Sequence, residues 1–155
     1  MSKAVVLSIR PKWVEKIANG EKTIEVRKTK PNLATPFKAY IYCSQGNDAR
    51  RLRGSWGKII GEFTCDLIFP INVFDNGSIQ NWLFEHMERS CLAYEELADY
   101  IGNGKTGHGW HISDLRIYDE ARELSEFTGL RNTRFGAAPY DIKRAPKSWC
   151  YVEEG

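Results

Sequence analysis

The sequence has few of the residues on which metal centres and disulfide frameworks are built. It holds four cysteines and three histidines in 155 residues. Cys43, Cys65, Cys91 and Cys150 lie far apart, and no C-x-x-C occurs. That spacing argues against a disulfide framework and for reduced thiols, as in the cytoplasm. His108 and His111 form an H-x-x-H, but residues three apart on a strand point to opposite faces, so the pair does not chelate. His86 and Cys91 have no third ligand at a recognisable spacing. No metal and no cofactor is expected. No run of about 18 apolar residues is present, so no membrane-crossing helix is expected. The first residues lack a long apolar stretch and a small-residue cleavage site, so no signal peptide is expected. A G-x-x-x-x-G-K-[ST] loop and a G-x-S-x-G elbow are both missing, which removes the sequence basis for P-loop and nucleophile-elbow chemistry. There is no internal repeat and no low-complexity tract.

What is there fits one folded domain over residues 1–155. Hydrophobic residues make up 42% of the chain, with a mean hydropathy of −0.47, enough for a core within a hydrophilic surface. The net charge is only +2, but it is segregated. Residues 1–58 carry 13 Lys and Arg against 4 Asp and Glu, whereas residues 59–130 carry 4 against 13. A basic first third is a reason to expect a polyanionic partner. The two segments can also neutralise each other across the fold.

Ala4–Ile9 is a short β-branched run and reads as a strand. Pro11 opens a short amphipathic helix over 11–19, with Trp13, Val14 and Ile17 on one face and Gly20 as its stop. A second strand covers about 22–28. A third covers Phe37–Ser44, with Ala39, Ile41 and Cys43 on one face and Tyr40 and Tyr42 on the other. Lys58–Phe69 alternates, placing Ile59, Phe63, Cys65, Leu67 and Phe69 opposite Glu62, Thr64 and Asp66. A helical insertion is expected over about 76–104. It comprises one helix capped by Ser78, carrying Ile79, Trp82, Leu83 and Met87, and another over 93–101 that buries Leu97 and Ile101. Gly107–Ala121 is strand-like, with a parity slip that predicts a bulge or a turn at Ser113/Asp114. The stretch 121–147 reads as mostly irregular, and Ser148–Glu154 as a final strand. About six strands with flanking short helices predict an α+β or mainly β fold, a small mixed barrel.

The most charged short segment is Gly20–Lys28, GEKTIEVRK, with five charges in nine residues. On a regular strand Ile24 and Val26 anchor one face, and Thr23, Glu25 and Arg27 share the other. Glu25 between two cations orients both. Arg27 has the fork to meet a phosphate or a base edge, and Lys22 can hold a phosphate or an oxyanion. The bland reading of Glu25 and Arg27 is a surface ion pair worth about 0–1 kcal/mol.

Gly20, Lys22, Glu25 and Arg27 match G-x-K-x-x-E-x-R, and on this motif the sequence resembles the ASCH family of PUA-like domains. The segments LSIRPKW, GWHISDLRIYD and SWCYVEE, and the later Gly61–Glu62, are similar to stand-alone ASCH proteins of bacteria and phages. The resemblance implies a PUA-like barrel with a cleft beside the first helix. It also implies a role in RNA metabolism, by binding RNA or a nucleotide or by processing a nucleoside. One family branch resembles an acetylcytidine amidohydrolase, which uses the motif lysine and a threonine nucleophile at the position held here by Glu25. Its further acid falls near Glu85, Glu88 or Ser90. Another branch looks like a ribonuclease, for which Lys22 is the counterpart of the cleft lysine. If the protein is an enzyme, Lys22 and Glu25 are the expected catalytic residues, with Thr23 a further hydroxyl on the same face.

The expected RNA or nucleotide contacts are Lys22, Glu25, Arg27 and Arg10, the basic loop residues Arg50, Arg51 and Arg53, and Trp149. Trp13, Tyr40 and Trp110 are expected in the core. Trp149 is expected to present its ring, because its neighbours Lys147, Ser148 and Tyr151 are polar-tipped.

Overall fold

A computed structural model describes residues 2–45, 56–80 and 84–155. The elements are β1 (Lys3–Ile9), α1 (Pro11–Ala18), β2 (Ile24–Arg27), β3 (Phe37–Cys43), β4 (Lys58–Val73), β5 (Ile79–Gln80), α2 (Phe84–Ser90), α3 (Tyr94–Ile101), β6 (Thr106–Arg122), β7 (Thr128–Thr133), β8 (Gly136–Asp141) and β9 (Trp149–Glu153). A 3-10 turn covers Leu124–Glu126. Strands dominate, as expected, and among the described residues there are nine rather than about six.

All nine join one sheet in the order β2-β6-β4-β3-β1-β9-β7-β8, with β5 paired to β4. Only the β1–β3 pair is parallel; the others are antiparallel. The strand path has two ends, so the sheet is not closed into a ring of backbone pairs. β2, at one end, instead approaches β1 and β9 through side chains.

β1 explains its own sequence. Val5, Leu7 and Ile9 face one core cluster with Phe37, Ile41, Phe63 and Trp110, and α1 covers that cluster with Val14 and Ile17. Ala4 and Val6 face a second cluster on the other side with Tyr40, Phe127 and Val152. A strand buried on both faces needs an unbroken apolar run, and AVVL supplies it. A third cluster packs Leu97, Ala98 and Ile101 of α3 against Ile24 and Val26 of β2 and Ile71 and Val73 of β4. Ile24 and Val26 are thus the anchor of their strand.

Three expectations are corrected. Residues 121–147 are not irregular, because β7 and β8 form a hairpin there. The Ser78-capped helix does not begin at Ile79: Ile79 pairs with Val73 as a strand, and the described part of the helix, α2, covers Phe84–Ser90. Trp82 and Leu83 lie outside the described residues. In β4, Ile59 faces the second cluster while Phe63 faces the first, and Leu67 is 54% exposed. Register shifts between Ile59 and Gly61, and between Cys65 and Ile68, carry the alternation across the pleat. The bulge expected near Ser113/Asp114 is present, with Asp114 at φ 47° and a register shift opposite Glu62/Thr64.

Candidate functional site

The motif begins at the end of α1. Gly20 takes φ +85°, a left-handed conformation that costs glycine no Cβ clash, and turns the chain into β2. Lys22 N–H then bonds the Lys16 carbonyl at 3.0 Å, and Thr23 N–H bonds the Arg89 carbonyl at 2.8 Å. β2 pairs with β6, setting Glu25 opposite Trp110 and Arg27 opposite His108. With Ile24 and Val26 turned to α3, Glu25 and Arg27 turn inward to the open seam of the sheet.

Arg27 occupies that seam. Its Nε and NH2 donate to Glu25 Oε2 at 3.0 and 2.7 Å. NH2 also donates to the Ser8 carbonyl at 2.7 Å, and NH1 to the Ser148 carbonyl and hydroxyl at 3.3 and 3.2 Å. A guanidinium has five N–H donors, and these five bonds match them. Arg27 is therefore a latch from β2 to β1 and to the residue preceding β9. Its fork is committed to the protein rather than free for a phosphate. Trp149 Nε1 adds a second tether across the same seam, donating to Thr29 Oγ1 at 2.9 Å.

Lys22 is 2% exposed and Glu25 5% exposed, so the bland surface-pair reading does not apply. Lys22 Nζ donates to the Ser90 carbonyl at 2.5 Å, lies 3.5 Å from Glu25 Oε1 and stands 4.9 Å from the centroid of the Trp13 ring. Burial holds the Lys22 ammonium below the ordinary lysine value, and Glu25 pulls it only part of the way back. For Glu25, burial acts to raise the carboxyl, but Arg27 and Lys22 outweigh it, and the group sits below the usual carboxylate range. The result is a buried carboxylate fixed by two cations, one saturated and one with hydrogen-bonding capacity left.

Lys22, Glu25 and Arg27 line one cleft of about 600 Å³ beside α1. Arg10, Lys12 and Lys147 stand at it as exposed cations, and Trp13 and Tyr100 are its aromatic residues. Five cations and two carboxylates, Glu25 and Glu96, line this space. The N-terminus of α1 adds positive partial charge, with no acidic residue in its first turn. The cleft suits an anionic ligand with an unsaturated ring.

Of the residues expected at a site, the structure brings together Lys22, Glu25, Arg27 and Arg10. Arg50, Arg51 and Arg53 lie outside the described residues. Trp149 does not line the cleft. It is half-buried in the first core cluster, with its ring 6.4 Å from that of Trp110 and 5.1 Å from that of Tyr151. Of its polar neighbours, Ser148 is held by Arg27, Tyr151 accepts from the exposed Asn32 N–H, and Lys147 is exposed at the cleft. Trp13, expected in the core, borders the cleft; Tyr40 and Trp110 are fully buried, as expected. Thr23 shares the parity of Glu25 but does not line the cleft. Glu85 and Glu88 are exposed, and of that trio Ser90 reaches Lys22. Lys12, Tyr100 and Lys147 were not anticipated. The signal available for Lys12 was its place directly after Arg10–Pro11, at the end of a buried strand.

The model of the ASCH domain matches residues 7–102, more than half of the chain, and the protein belongs to the ASCH family. The comparison with curated proteins gives no match. Among solved structures, the fold resembles ASCH from Zymomonas mobilis at TM-score 0.65 and 19% identity, covering 97% of this chain and 88% of that one. A Tyr-to-Phe variant of the Zymomonas mobilis protein aligns at TM-score 0.59 and 17% identity, covering 97% and 91%. A Ser-to-Ala variant aligns at 0.64 and 19%, covering 97% and 89%. At these identities the likeness is one of fold. Among the described residues no helix is long and apolar enough to cross a membrane.

Proposed function

We propose that this protein is an RNA- or nucleotide-binding module whose ligand enters the cleft beside α1. The observation that carries the reading is the pairing of a cationic rim, Arg10, Lys12 and Lys147, with a buried Lys22–Glu25 pair in the same cleft. Rim cations neutralise phosphates without reading a base. Glu25 Oε1 and the remaining Lys22 donor supply one acceptor and one donor inside, which is what recognition of a base edge or sugar hydroxyl requires. Arg27 contributes by holding Glu25 still. Binding of a short RNA is expected to weaken steeply with salt, and Lys12→Ala or Lys147→Ala is expected to weaken it further and flatten the salt slope. Salt-insensitive binding, or rim variants with wild-type affinity, would sink the reading.

A second reading, a small hydrolase acting on RNA or on a modified nucleoside, is favoured by one feature. Lys22 is an amine held below its ordinary pKa and 3.5 Å from a carboxylate, within reach of a cleft ligand. Such a lysine gives up a proton more readily than a solvated one. The threonine used by the amidohydrolase branch is replaced by Glu25, and Thr23 does not substitute for it from outside the cleft. Incubation with acetylated cytidine and with end-labelled RNA tests this. Product formation abolished by Lys22→Ala supports an enzyme, and no product with either substrate rejects it.

A further inference from the structure

The β7–β8 hairpin lies away from the cleft lining and carries an unusual tip. Thr133 pairs with Gly136, leaving Arg134 and Phe135 as a two-residue loop. Phe135 is 91% exposed, far more than the next large hydrophobic among the described residues, Leu67 at 54%. Hydrogen bonds define the turn. Phe135 N–H donates to Thr133 Oγ1 at 3.2 Å, and Thr133 Oγ1 donates to the Gly136 carbonyl at 2.7 Å. Gly136 takes φ +103°, which a residue with a Cβ rarely adopts. The Arg134 guanidinium lies 5.5 Å from the Phe135 centroid, and that of Arg131 lies 4.2 Å from Tyr140.

Residues 131–147 hold five cations, Arg131, Arg134, Lys143, Arg144 and Lys147, against one acid, Asp141. All five are exposed, and the last of them lines the cleft. The topology gives this track a direction. β7 runs antiparallel to β9, with Gly129 opposite Val152, and β9 runs antiparallel to β1, with Leu7 opposite Trp149. The hairpin tip therefore extends toward the end of the sheet where Ser8 and Lys147 border the cleft. Two strand spacings, about 10 Å, separate β7 from β1.

Charges alone have a plain explanation, since β8 ends the strand path and a charged edge discourages sheet-to-sheet pairing. That explanation does not cover a phenylalanine left 91% exposed beside an arginine at the hairpin tip. Aromatic faces interleaved with guanidinium groups match the alternation of bases and phosphates in an unpaired strand. We infer that the β7–β8 hairpin is an arm for single-stranded RNA: Phe135 stacks one base, and Arg131 and Arg134 hold phosphates. The tip points to the end of the sheet where Lys147 lines the cleft, and the strand enters the cleft past that residue. This rests on the nucleotide-binding reading of the cleft and extends it, making the ligand a chain of several nucleotides rather than a free nucleoside.

Fluorescence anisotropy with an unstructured 12-nucleotide RNA, beside a ribonucleoside monophosphate as competitor, tests it. The 12-mer is expected to bind more tightly than the mononucleotide. Phe135→Ser is expected to weaken the 12-mer about five- to 100-fold, in line with the loss of one stacked base, and to leave the mononucleotide and the melting temperature unchanged. R131S is expected to lower the salt slope for the 12-mer. If both variants bind the 12-mer like wild type while the mononucleotide still binds, the arm is overturned and the cleft stands. If wild type binds neither ligand, the cleft reading falls and the arm with it. Tighter binding of a 12-base-pair duplex, with the same dependence on Phe135, overturns the arm, because stacking requires unpaired bases. A wild-type dimer that F135S dissociates in sedimentation also overturns it, by assigning Phe135 to a second copy of this chain.

Discussion

Arg27 grips Glu25 through a single carboxylate oxygen, Oε2, with Nε at 3.0 Å and NH2 at 2.7 Å. The other oxygen, Oε1, is left facing Lys22 at 3.5 Å. One residue pair thus divides the carboxylate into a half bound by Arg27 and a half facing Lys22. The half bound by Arg27 continues through it to the carbonyls of Ser8 and Ser148, across the seam that backbone pairing does not close.

Removal of Arg27 is expected to be costly to stability. Arg27→Ala leaves Glu25 buried without its main partner and strips the bonds from Ser8 and Ser148. The expected loss is about 3–5 kcal/mol in urea denaturation, the range for breaking a buried pair from one side. Arg27→Lys keeps the charge but lacks the planar fork, so it is expected to recover only part of this. An alanine variant within about 0.5 kcal/mol of wild type would show that the latch is idle.

Acid is expected to weaken the fold through Glu25. Its carboxyl is held below the unfolded value of about 4.3, so its contribution is complete above that pH and is lost as pH falls through the lower folded value. The stability difference between wild type and Glu25→Gln is therefore expected to be constant near neutrality and to shrink in the acid range. A difference that grows toward acid would contradict the assignment.

Lys22 acts at high pH, and in the same direction. Burial lowers its folded pKa, so between that value and about 10.4 the unfolded chain binds more protons and stability rises with pH. Lys22→Met is expected to abolish that rise in a denaturation series. The Lys22 side-chain NMR titration in wild type is expected to show a midpoint below the ordinary lysine value.

Asp114 offers a test of the β6 bulge. It is exposed and takes φ 47° without being glycine. Asp114→Gly is expected to be neutral or stabilising, whereas Asp114→Val is expected to cost about 1–2 kcal/mol. Equal stability of the two variants would place the bulge elsewhere.

The break in β6 was legible, because an apolar parity slip between Ile112 and Leu115 calls for a bulge or a turn there, and the structure has the bulge. So were β1, α1, β3 and the anchoring of Ile24 and Val26, where period and burial agree. The β7–β8 hairpin was not. Its strands alternate poorly, one carries Pro139, and most of its residues are exposed, so no apolar period marks them. The motif residues were identified as a group, but strand parity alone made Arg27 a presented group. Its commitment to Ser8 and Ser148 is a contact between residues 121 positions apart in the longer case, which local pattern does not encode. Trp149 lies off the cleft for a similar reason: its neighbour Ser148 is held by Arg27, far away in sequence.

The central claim, that an anionic nucleotide occupies the cleft between α1 and the Lys22–Glu25 pair, is tested most directly by amide NMR shifts. A ribonucleoside 5′-monophosphate is titrated into isotope-labelled protein in low salt. Shifts are expected to concentrate on residues 8–13, 22–27 and 145–148, and to vanish in Lys22→Met combined with Lys12→Ala. Saturating nucleotide that moves none of these amides, or that moves a cluster elsewhere on the molecule, contradicts the claim.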